Sequence, residues 1–471
     1  MARVAPRNPW TIFWVLALIE FISVIDASAV HVALPSISAG LGFSSTTIAW
    51  VVDAYIVGFA GFMLLAGRAT DVVGRRRLFI VGVVLFAAFS LACALSVTPW
   101  QLVASRLFQG LGAALVTPAA LALITDIFPE GAGRNRALGI FSGMAGLAAP
   151  VGLVLGGLLT SAAWQWIFLI NLPICLGVLL AAPRLLPRSG RLHQVRLDLV
   201  GAVAVTSGLV LLILAVLRGS AQRWTSGLTL GEFVLSAALL LVFVLRQLRG
   251  PAPLLPTELF ARRNVAVGNL IFPLVGAVLI STLFFVALFL QQVRGYRPIE
   301  AAFITLPIPL AMLAGTQTAP RVLRCGPPNV LAAGLLIQAM ALGLWAAVIS
   351  DSRSIAVAFA LPAAIWAFGV GMSIVSSFVV CTTGVTGAVA GAASGLATTT
   401  YQAGGALGLA VLAVVADSRT AAVTGRMDGT DAVVSGYAWA LSCALAATLF
   451  GAVLTRLIVA RTTAATASTS G

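Results

Sequence analysis

Long apolar stretches of about 20 residues, separated by short polar turns, form the pattern of the whole chain. An apolar helix of about 20 residues can cross a hydrocarbon layer roughly 30 Å thick. The pattern therefore predicts fourteen transmembrane helices in an all-α integral membrane protein. The stretches lie near residues 12–34, 46–66, 78–97, 100–125, 137–160, 165–183, 198–217, 228–247, 265–290, 300–319, 329–349, 355–380, 393–416 and 434–458.

Composition agrees with a membrane location. Of the 471 residues, 60% are hydrophobic and 9% are charged, and the mean hydropathy is +1.06. A soluble protein cannot cover that much apolar surface. The first stretch is too long for the core of a signal peptide, so we expect it to remain as the first helix.

The basic residues give the orientation. The net charge is +14, and with a cytoplasmic N-terminus 20 of the 28 basic residues fall in cytoplasmic turns. The excess of positive charge on that side predicts that both termini are cytoplasmic. We expect these residues to face anionic lipid headgroups rather than nucleic acid.

Two absences exclude some kinds of chemistry. The chain has no Lys, so it lacks the phosphate-binding lysine of a Walker A loop, and uphill transport would need an ion gradient or a separate ATPase. Its 5 Cys are scattered without the spacing of metal ligands. We therefore expect neither a metal nor a cofactor.

A basic turn lies between the second and third apolar stretches. It runs from Gly67 to Arg77 (GRATDVVGRRR), and it resembles the signature loop of the major facilitator superfamily. An offset of 252 residues carries Gly74 onto Gly326, where Pro320 to Gly326 (PRVLRCG) resembles a weaker copy without the aspartate. This repetition predicts the major facilitator fold, in which two six-helix halves carry substrate at their interface.

The fourteen helices then divide into six, two and six. We expect an N-terminal half over residues 1–183, an inserted two-helix linker with cytoplasmic connectors over 184–263, and a C-terminal half with a short tail over 264–471.

Further motifs resemble the fourteen-span drug:proton antiporters. The chain departs from that pattern at Gln165, where Arg is usual, at His31, where Asn is usual, and at Leu153, where the fifth-helix motif has Pro. The resemblance implies proton-coupled export of hydrophobic or amphipathic compounds by a monomer in the bacterial cytoplasmic membrane. The motifs are Ile25–Pro35 (IDASAVHVALP), Trp50–Tyr55 (WVVDAY), Arg106–Ala114 (RLFQGLGAA), Trp164–Pro173 (WQWIFLINLP) and Gln291–Pro307 (QQVRGYRPIEAAFITLP).

Four charged residues are candidates for proton coupling: Asp26, Asp53, Glu20 and Arg106. An ionised carboxylate within a span is costly and so usually functional. A carboxylate hydrogen-bonded to a neighbouring helix, or a static bridge to Arg106, is the structural alternative. The resemblance places Arg106 in the motif tied to proton transfer.

Polar side chains that we expect in the substrate cavity are Gln109, His31, Tyr55 and Asn171. His31 lies eleven residues after Glu20, which is three helical turns on nearly the same face. A polar contact inside the protein is the alternative for His31.

The resemblance implies a conformational latch formed by Gly67, Asp71, Gly74 and Arg75. Asp71 can pair with Arg75 four positions later. The alternative is that the arginines of the turn only fix topology.

Small residues predict close helix packing in two helices. No acid falls inside the predicted spans between 265 and 458, and Glu300 lies at a span entrance, so coupling would depend on the N-terminal half. Because some fourteen-span relatives that export dications use acids in the C-terminal half, the resemblance implies neutral or monocationic substrates. The packing residues are Gly110, Gly112, Pro150, Gly152, Gly156 and Gly157.

Several alternatives remain open. The chain could export one self-made metabolite or antibiotic, or import a compound by symport. It could also be a membrane sensor or assembly partner with a transporter fold. An enzyme is disfavoured because no paired catalytic residues or metal cluster occur in the sequence.

Overall fold

The computed structural model describes residues 8–44, 47–128, 132–187, 198–221, 224–249, 262–348, 359–383, 385 and 390–468. Within these ranges every regular element is helical, which confirms the all-α prediction. Two 3₁₀ turns (Thr47–Ala49 and Leu323–Cys325) and a π-helical turn (Phe289–Val293) join or extend the helices, and residues 359–360 before α14 are also π-helical. The α-helices are α1 (Pro9–Leu41), α2 (Trp50–Val73), α3 (Arg75–Ala94), α4 (Pro99–Ile127), α5 (Ala132–Ala162), α6 (Trp166–Leu169), α7 (Asn171–Leu185), α8 (Leu199–Ala221), α9 (Gly227–Arg249), α10 (Arg263–Leu288), α11 (Pro298–Thr305), α12 (Pro307–Val322), α13 (Pro327–Val348), α14 (Leu361–Thr382), α15 (Ala390–Val423) and α16 (Gly429–Ser468).

Eleven helical segments in the described part of the chain are long and apolar enough to cross a membrane. Three shorter apolar segments accompany them, at Thr47–Met63, Pro150–Ala162 and Val203–Val216. The chain is therefore a helical membrane protein with many spans.

Proline breaks two of the predicted stretches. The sixth is divided at Ile170 into α6 and α7, and the tenth at Leu306 into α11 and α12. Pro173 and Pro307 each lack the N–H that would continue the helical ladder. Each stretch still continues in the next helix.

One helix is longer than its predicted stretch, and the extension contains an acid. The thirteenth stretch was predicted to end at residue 416, but α15 continues to Val423 and includes Asp417, which is half-buried. The apolar pattern ended too early because it stopped at the first charged residue. With Glu300 in α11 and Asp431 in α16, the described C-terminal helices contain three acids.

The chain divides into two compact units. Unit 1 comprises Met1–Phe43, Trp50–Thr206 and Arg297–Ala302. Unit 2 comprises Ser44–Ala49, Ser207–Tyr296 and Phe303–Gly471.

The helix contacts inside the two units follow one scheme. In unit 1, α1 packs on α5, and α4 packs on both α2 and α3. In unit 2, α10 packs on α15, and α14 packs on both α12 and α13. The internal repeat expected from the sequence is thus present in the helix packing.

Paired glycines make one very close helix crossing in each unit. A Cβ on Gly110 would overlap the carbonyl oxygen of Tyr55, and one on Gly371 would overlap that of Met312. The facing helix of each pair contributes a glycine of its own. Gly58 packs against the backbone of Leu107 in unit 1, and Gly315 packs against that of Phe368 in unit 2. Small residues allow helix backbones to touch in this way.

The two repeated turns share one backbone conformation. Gly74, directly before α3, has φ 95° and ψ 131°. Gly326, directly before α13, has φ 93° and ψ 126°. Only glycine adopts such a positive φ at low cost, so the 252-residue offset read from the sequence matches a repeated structural turn.

Candidate functional site: a buried ion-pair cluster in unit 1

Asp26 and Arg106 form an ion pair in the interior of unit 1. Arg106 Nη1 on α4 donates to Asp26 Oδ2 on α1 at 2.6 Å, and the two side chains are 1% and 0% exposed. Arg106 Nε also donates to the carbonyl oxygen of Val51 at 3.0 Å. The guanidinium carbon lies 4.3 Å from the centre of the Tyr55 ring, a cation–π distance. The cation is therefore held by α1 and α2 together.

Two amides complete the environment of the carboxylate. Gln109 Nε2 and Asn171 Nδ2 donate to Asp26 Oδ1 at 3.0 Å and 2.8 Å. The same nitrogens donate to Ser90 Oγ at 2.8 Å and 3.2 Å. Gln109 Oε1 accepts from Arg106 Nη1 at 2.7 Å. We refer to Asp26, Ser90, Arg106, Gln109 and Asn171 as the Asp26 cluster.

The Asp26 cluster matches an ionised carboxylate. Every group bonded to Asp26 is a donor, and one of them carries a positive charge. A buried charge pair is tolerable only when its remaining lone pairs and hydrogens are satisfied. These contacts give a protonated Asp26 carboxyl no hydrogen-bond acceptor among its described partners.

Glycines bring α4 close to its neighbours at this point. Arg106 precedes Gly110 by four residues, so both face α2. A Cβ on Gly112 would lie 2.6 Å from the backbone nitrogen of Phe86 on α3. The polar side chains therefore share a narrow space between tightly packed backbones.

On the other side of Asp26, α5 is equally close. A Cβ on Gly152 would lie 2.8 Å from the carbonyl oxygen of Ile25, and one on Gly156 would lie 2.7 Å from the α-carbon of Ala29. Gly157 faces Ala302 instead. Pro150 lies within α5 and is half-buried.

Three other predicted polar residues lie outside the cluster. Asp53 is 0% exposed, and neither of its carboxylate oxygens has a partner among the described hydrogen bonds. His31 is buried, and its Nδ1 likewise has no described partner. Glu20 accepts a hydrogen bond from Thr117 Oγ1 at 2.8 Å. The structure thus brings Asp26 and Arg106 together, but not the whole predicted set.

Arg75 of the signature turn has a partner that the sequence analysis did not name. Arg75 forms an ion pair with Asp126 at the end of α4 and also donates to the carbonyl oxygen of Ala122 at 3.3 Å. The expected partner, Asp71, has a side chain outside the described residues. Gly67 has open space where a Cβ would point. Because α4 ends beside the start of α3, an acid distant in sequence reaches Arg75, and sequence spacing could not reveal this.

Sequence reasoning missed two members of the site. Ser90 is the only hydroxyl residue in α3 and bonds both amides. Cys93, one turn later, donates its thiol to Gln109 Oε1 at 3.6 Å. Ser90 could have been noticed in the sequence because it is a single hydroxyl residue in the apolar part of α3. Cys93 could not, because a cysteine in an apolar stretch is usually a small buried residue.

The fold and the buried ion pair are those of a helical membrane protein, and comparison with known proteins identifies it as a transporter and gives its family. Residues 16–409 match the Major Facilitator Superfamily, so the chain belongs to that family.

Similar proteins include exporters and resistance proteins. The chain is 38% identical over 407 residues to the cephamycin export protein CmcT of Amycolatopsis lactamdurans, covering 85% of this chain and 84% of that protein. It is 35% identical over 471 residues to the puromycin resistance protein pur8 of Streptomyces alboniger, covering 98% and 93%. Its fold resembles that of the nucleoside transporter NupG with a TM-score of 0.68 at 14% identity, covering 96% and 99%.

Proposed function

We propose that this protein exports hydrophobic or amphipathic antibiotics from the bacterial cytoplasm in exchange for protons. The export of cephamycin by one relative and the puromycin resistance conferred by another support the substrate class. The Asp26–Arg106 pair carries the proposal of proton coupling, because it is the described buried ion pair of the membrane-spanning helices with almost no exposure on either side.

The Asp26 cluster can couple proton movement to transport if Asp26 is neutralised alternately by Arg106 and by a proton. When Arg106 is paired with Asp26, the carboxylate is satisfied without a proton. When helix movement or substrate separates the pair, a proton replaces the guanidinium as the neutralising charge. A proton moving down a membrane potential releases roughly 2.3 kcal/mol per 100 mV, enough to sustain a concentration ratio of ten or more.

Export of a single antibiotic is the second candidate. Each of the two relatives carries the name of one compound, which favours a narrow specificity as much as a broad one. A symport direction is a further alternative, since a carboxylate–guanidinium pair does not by itself set the direction of transport.

We propose the topology that the sequence predicts. Eleven long and three shorter apolar segments in the described ranges support fourteen crossings. The excess of basic residues in the predicted cytoplasmic turns supports a cytoplasmic location for both termini. We expect a monomer surrounded by membrane lipids, with no nucleic-acid partner. The bacterial relatives favour the cell membrane as its location.

We assign supporting roles to the other polar residues. Asp53 and Glu20 are further candidates for proton binding, while His31 and Tyr55 are candidates for the substrate cavity. Gly67, Asp71, Gly74 and Arg75 are candidates for a cytoplasmic latch, to which Arg75 contributes its pair with Asp126.

The direct test uses everted membrane vesicles with an imposed pH gradient that a pH-sensitive dye reports. Puromycin, a cephamycin and a lipophilic cationic dye are each added to vesicles with the native protein, Asp26→Asn or Asp417→Asn. We expect at least one compound to dissipate the gradient in the native and Asp417→Asn vesicles but not in Asp26→Asn. Dissipation by Asp26→Asn would overturn the assignment, and efflux unaffected by an uncoupler would overturn proton antiport.

A further inference from the structure

Asn171 differs from the other residues of the Asp26 cluster because its side-chain oxygen accepts no described hydrogen bond. Its Nδ2 donates twice, to Asp26 Oδ1 at 2.8 Å and to Ser90 Oγ at 3.2 Å. Its Oδ1 is buried and has no hydrogen-bond partner among the described residues. Buried polar atoms are nearly always bonded, so an orphaned amide oxygen beside a buried carboxylate calls for a physical reason.

The second amide of the cluster is fixed in place. Gln109 Nε2 donates to Asp26 and Ser90, and its Oε1 accepts from Arg106 at 2.7 Å and from the Cys93 thiol at 3.6 Å. Turning this amide over would place its N–H groups against a guanidinium. Of the two amides that bond Asp26, only Asn171 can turn over without losing a bond at its oxygen.

Protonation of Asp26 creates a need for an acceptor. The ionised carboxylate only accepts hydrogen bonds, whereas the protonated acid must donate one. Rotation of the Asn171 amide by half a turn brings Oδ1 to the position of Nδ2, within hydrogen-bond distance of Asp26 Oδ1 and Ser90 Oγ. The Ser90 hydroxyl can rotate from acceptor to donor. Once the Asp26–Arg106 pair has separated, one side-chain torsion and one hydroxyl rotation therefore convert a site built for a carboxylate into one built for a carboxylic acid.

We infer that Asn171 is a positioning residue that turns its side-chain amide over when Asp26 takes up a proton. This role rests on the proposed proton coupling through Asp26. It differs from contact with substrate, because the amide is 0% exposed and both of its donated bonds stay inside the cluster.

The charged and titratable groups around the cluster leave this role to Asn171. Arg106 already uses its bonds to Asp26, Gln109 and Val51, and none of the surrounding groups accepts from or donates to Asn171 Oδ1 among the described hydrogen bonds. The groups that interact electrostatically with Asp26 or Arg106 are Tyr55 on α2, Cys93 on α3, Cys175 on α7 and His31 on α1, with Glu20 acting on Tyr55.

Infrared difference spectroscopy can test this role without any substrate. The full-length protein in liposomes is titrated with acid, and the carboxyl C=O band that disappears in Asp26→Asn is assigned to protonated Asp26. In the native protein we expect that band to appear together with a change in a side-chain amide band. In Asn171→Leu, which keeps the branching and the number of heavy atoms but not the amide, we expect loss of the amide change and a shift of the carboxyl band to higher wavenumber.

Control variants separate this role of Asn171 from a general effect of a substitution on the structure. Gln338→Leu removes a buried amide of unit 2 that bonds Ser373 at 2.7 Å and also has an unpartnered oxygen, and it should leave both bands unchanged. Ser90→Ala should shift the carboxyl band less than Asn171→Leu does. If Asn171→Leu leaves the amide change and the carboxyl band as in the native protein, the inference is wrong. If no carboxyl band depends on Asp26, the proton-carrier assignment itself fails.

Discussion

The helix crossings of unit 1 and unit 2 are alike, but the side chains beside them are not. Because Gly110 corresponds to Gly371 in the two α-helix crossings, the position of Arg106 on α4 corresponds to Ala367 on α14. By the same register Gln109 corresponds to Val370. Ala367 and Val370 are both 0% exposed.

The second crossing shows the same contrast. Gly152 lies against the carbonyl oxygen of Ile25, as Gly404 lies against that of Pro273. The register then places Leu274 where α1 has Asp26. Unit 2 thus folds around the same glycine contacts with apolar residues in place of the ion pair.

This difference shows that the crossings do not require charge. The buried polar bond near the α13–α14 crossing of unit 2 joins two neutral side chains, Gln338 and Ser373. Replacing a buried ion pair by apolar residues is often neutral or stabilising, whereas removing one partner is costly. A pair retained in only one of two repeated units is therefore better explained by function than by stability.

The largest expected effect comes from breaking the pair on one side. Arg106→Met leaves Asp26 buried without its cation, and we expect a loss of about 3–5 kcal/mol of unfolding free energy. Thermal unfolding of the purified protein in detergent measures it. A loss below about 1 kcal/mol would mean that the charge pair is not a tightly coupled buried contact.

Making unit 1 resemble unit 2 is the matching control. The double variant Asp26→Leu with Arg106→Met removes both charges, so we expect most of the lost stability to return. Proton-coupled export should still be absent. A double variant that remains as unstable as Arg106→Met would show that the pair is needed for folding.

Overpacking of the crossings should affect both units. Gly110→Ala and Gly371→Ala each place a methyl group against a carbonyl oxygen of the facing helix, and we expect each to cost about 3 kcal/mol. Gly177→Ala, with open space at its Cβ, is the control and should be nearly neutral. A large difference between the two crossings would contradict their structural equivalence.

A smaller effect is expected at the repeated turns. Gly74→Ala and Gly326→Ala force a side chain into a positive-φ conformation, at a cost of about 1–2 kcal/mol each. Their thermal shifts, measured side by side, should be similar. If one variant is neutral, its turn must relax in a way that the other does not.

The smallest effect on stability is expected at the signature turn. Arg75 and Asp126 are 18% and 43% exposed, so Arg75→Gln should cost less than about 1 kcal/mol. Its export rate is the informative measurement. A fall in rate with unchanged stability supports the proposed latch, and an unchanged rate leaves only a role in topology.

Much of the fold could be predicted from apolar stretches because lipid imposes a simple length rule. The family, the repeated turn and the presence of Asp26 and Arg106 within apolar helices were also accessible, since a charge in an apolar stretch is conspicuous. The extent of α15 beyond its apolar stretch, and with it Asp417, was not.

Contacts between distant helices could not be read from spacing. Arg75 and Asp126, which form an ion pair, are 51 positions apart in the sequence. Asn171 and Asp26, which share a hydrogen bond, are 145 positions apart. Such partners depend on which helices pack against each other. Neither hydrophobic periodicity nor the order of motifs along the chain predicts which polar side chains then meet.

The most direct test of the account compares exchange with uphill transport in proteoliposomes. Asp26→Asn should exchange labelled puromycin across the membrane without a pH gradient but fail to accumulate it when a gradient is imposed, while Asp26→Glu should restore part of the accumulation. This outcome would assign coupling to unit 1 and leave substrate handling intact. Accumulation by Asp26→Asn to the native level under the same gradient would contradict the central claim that the proton is carried at the Asp26 cluster.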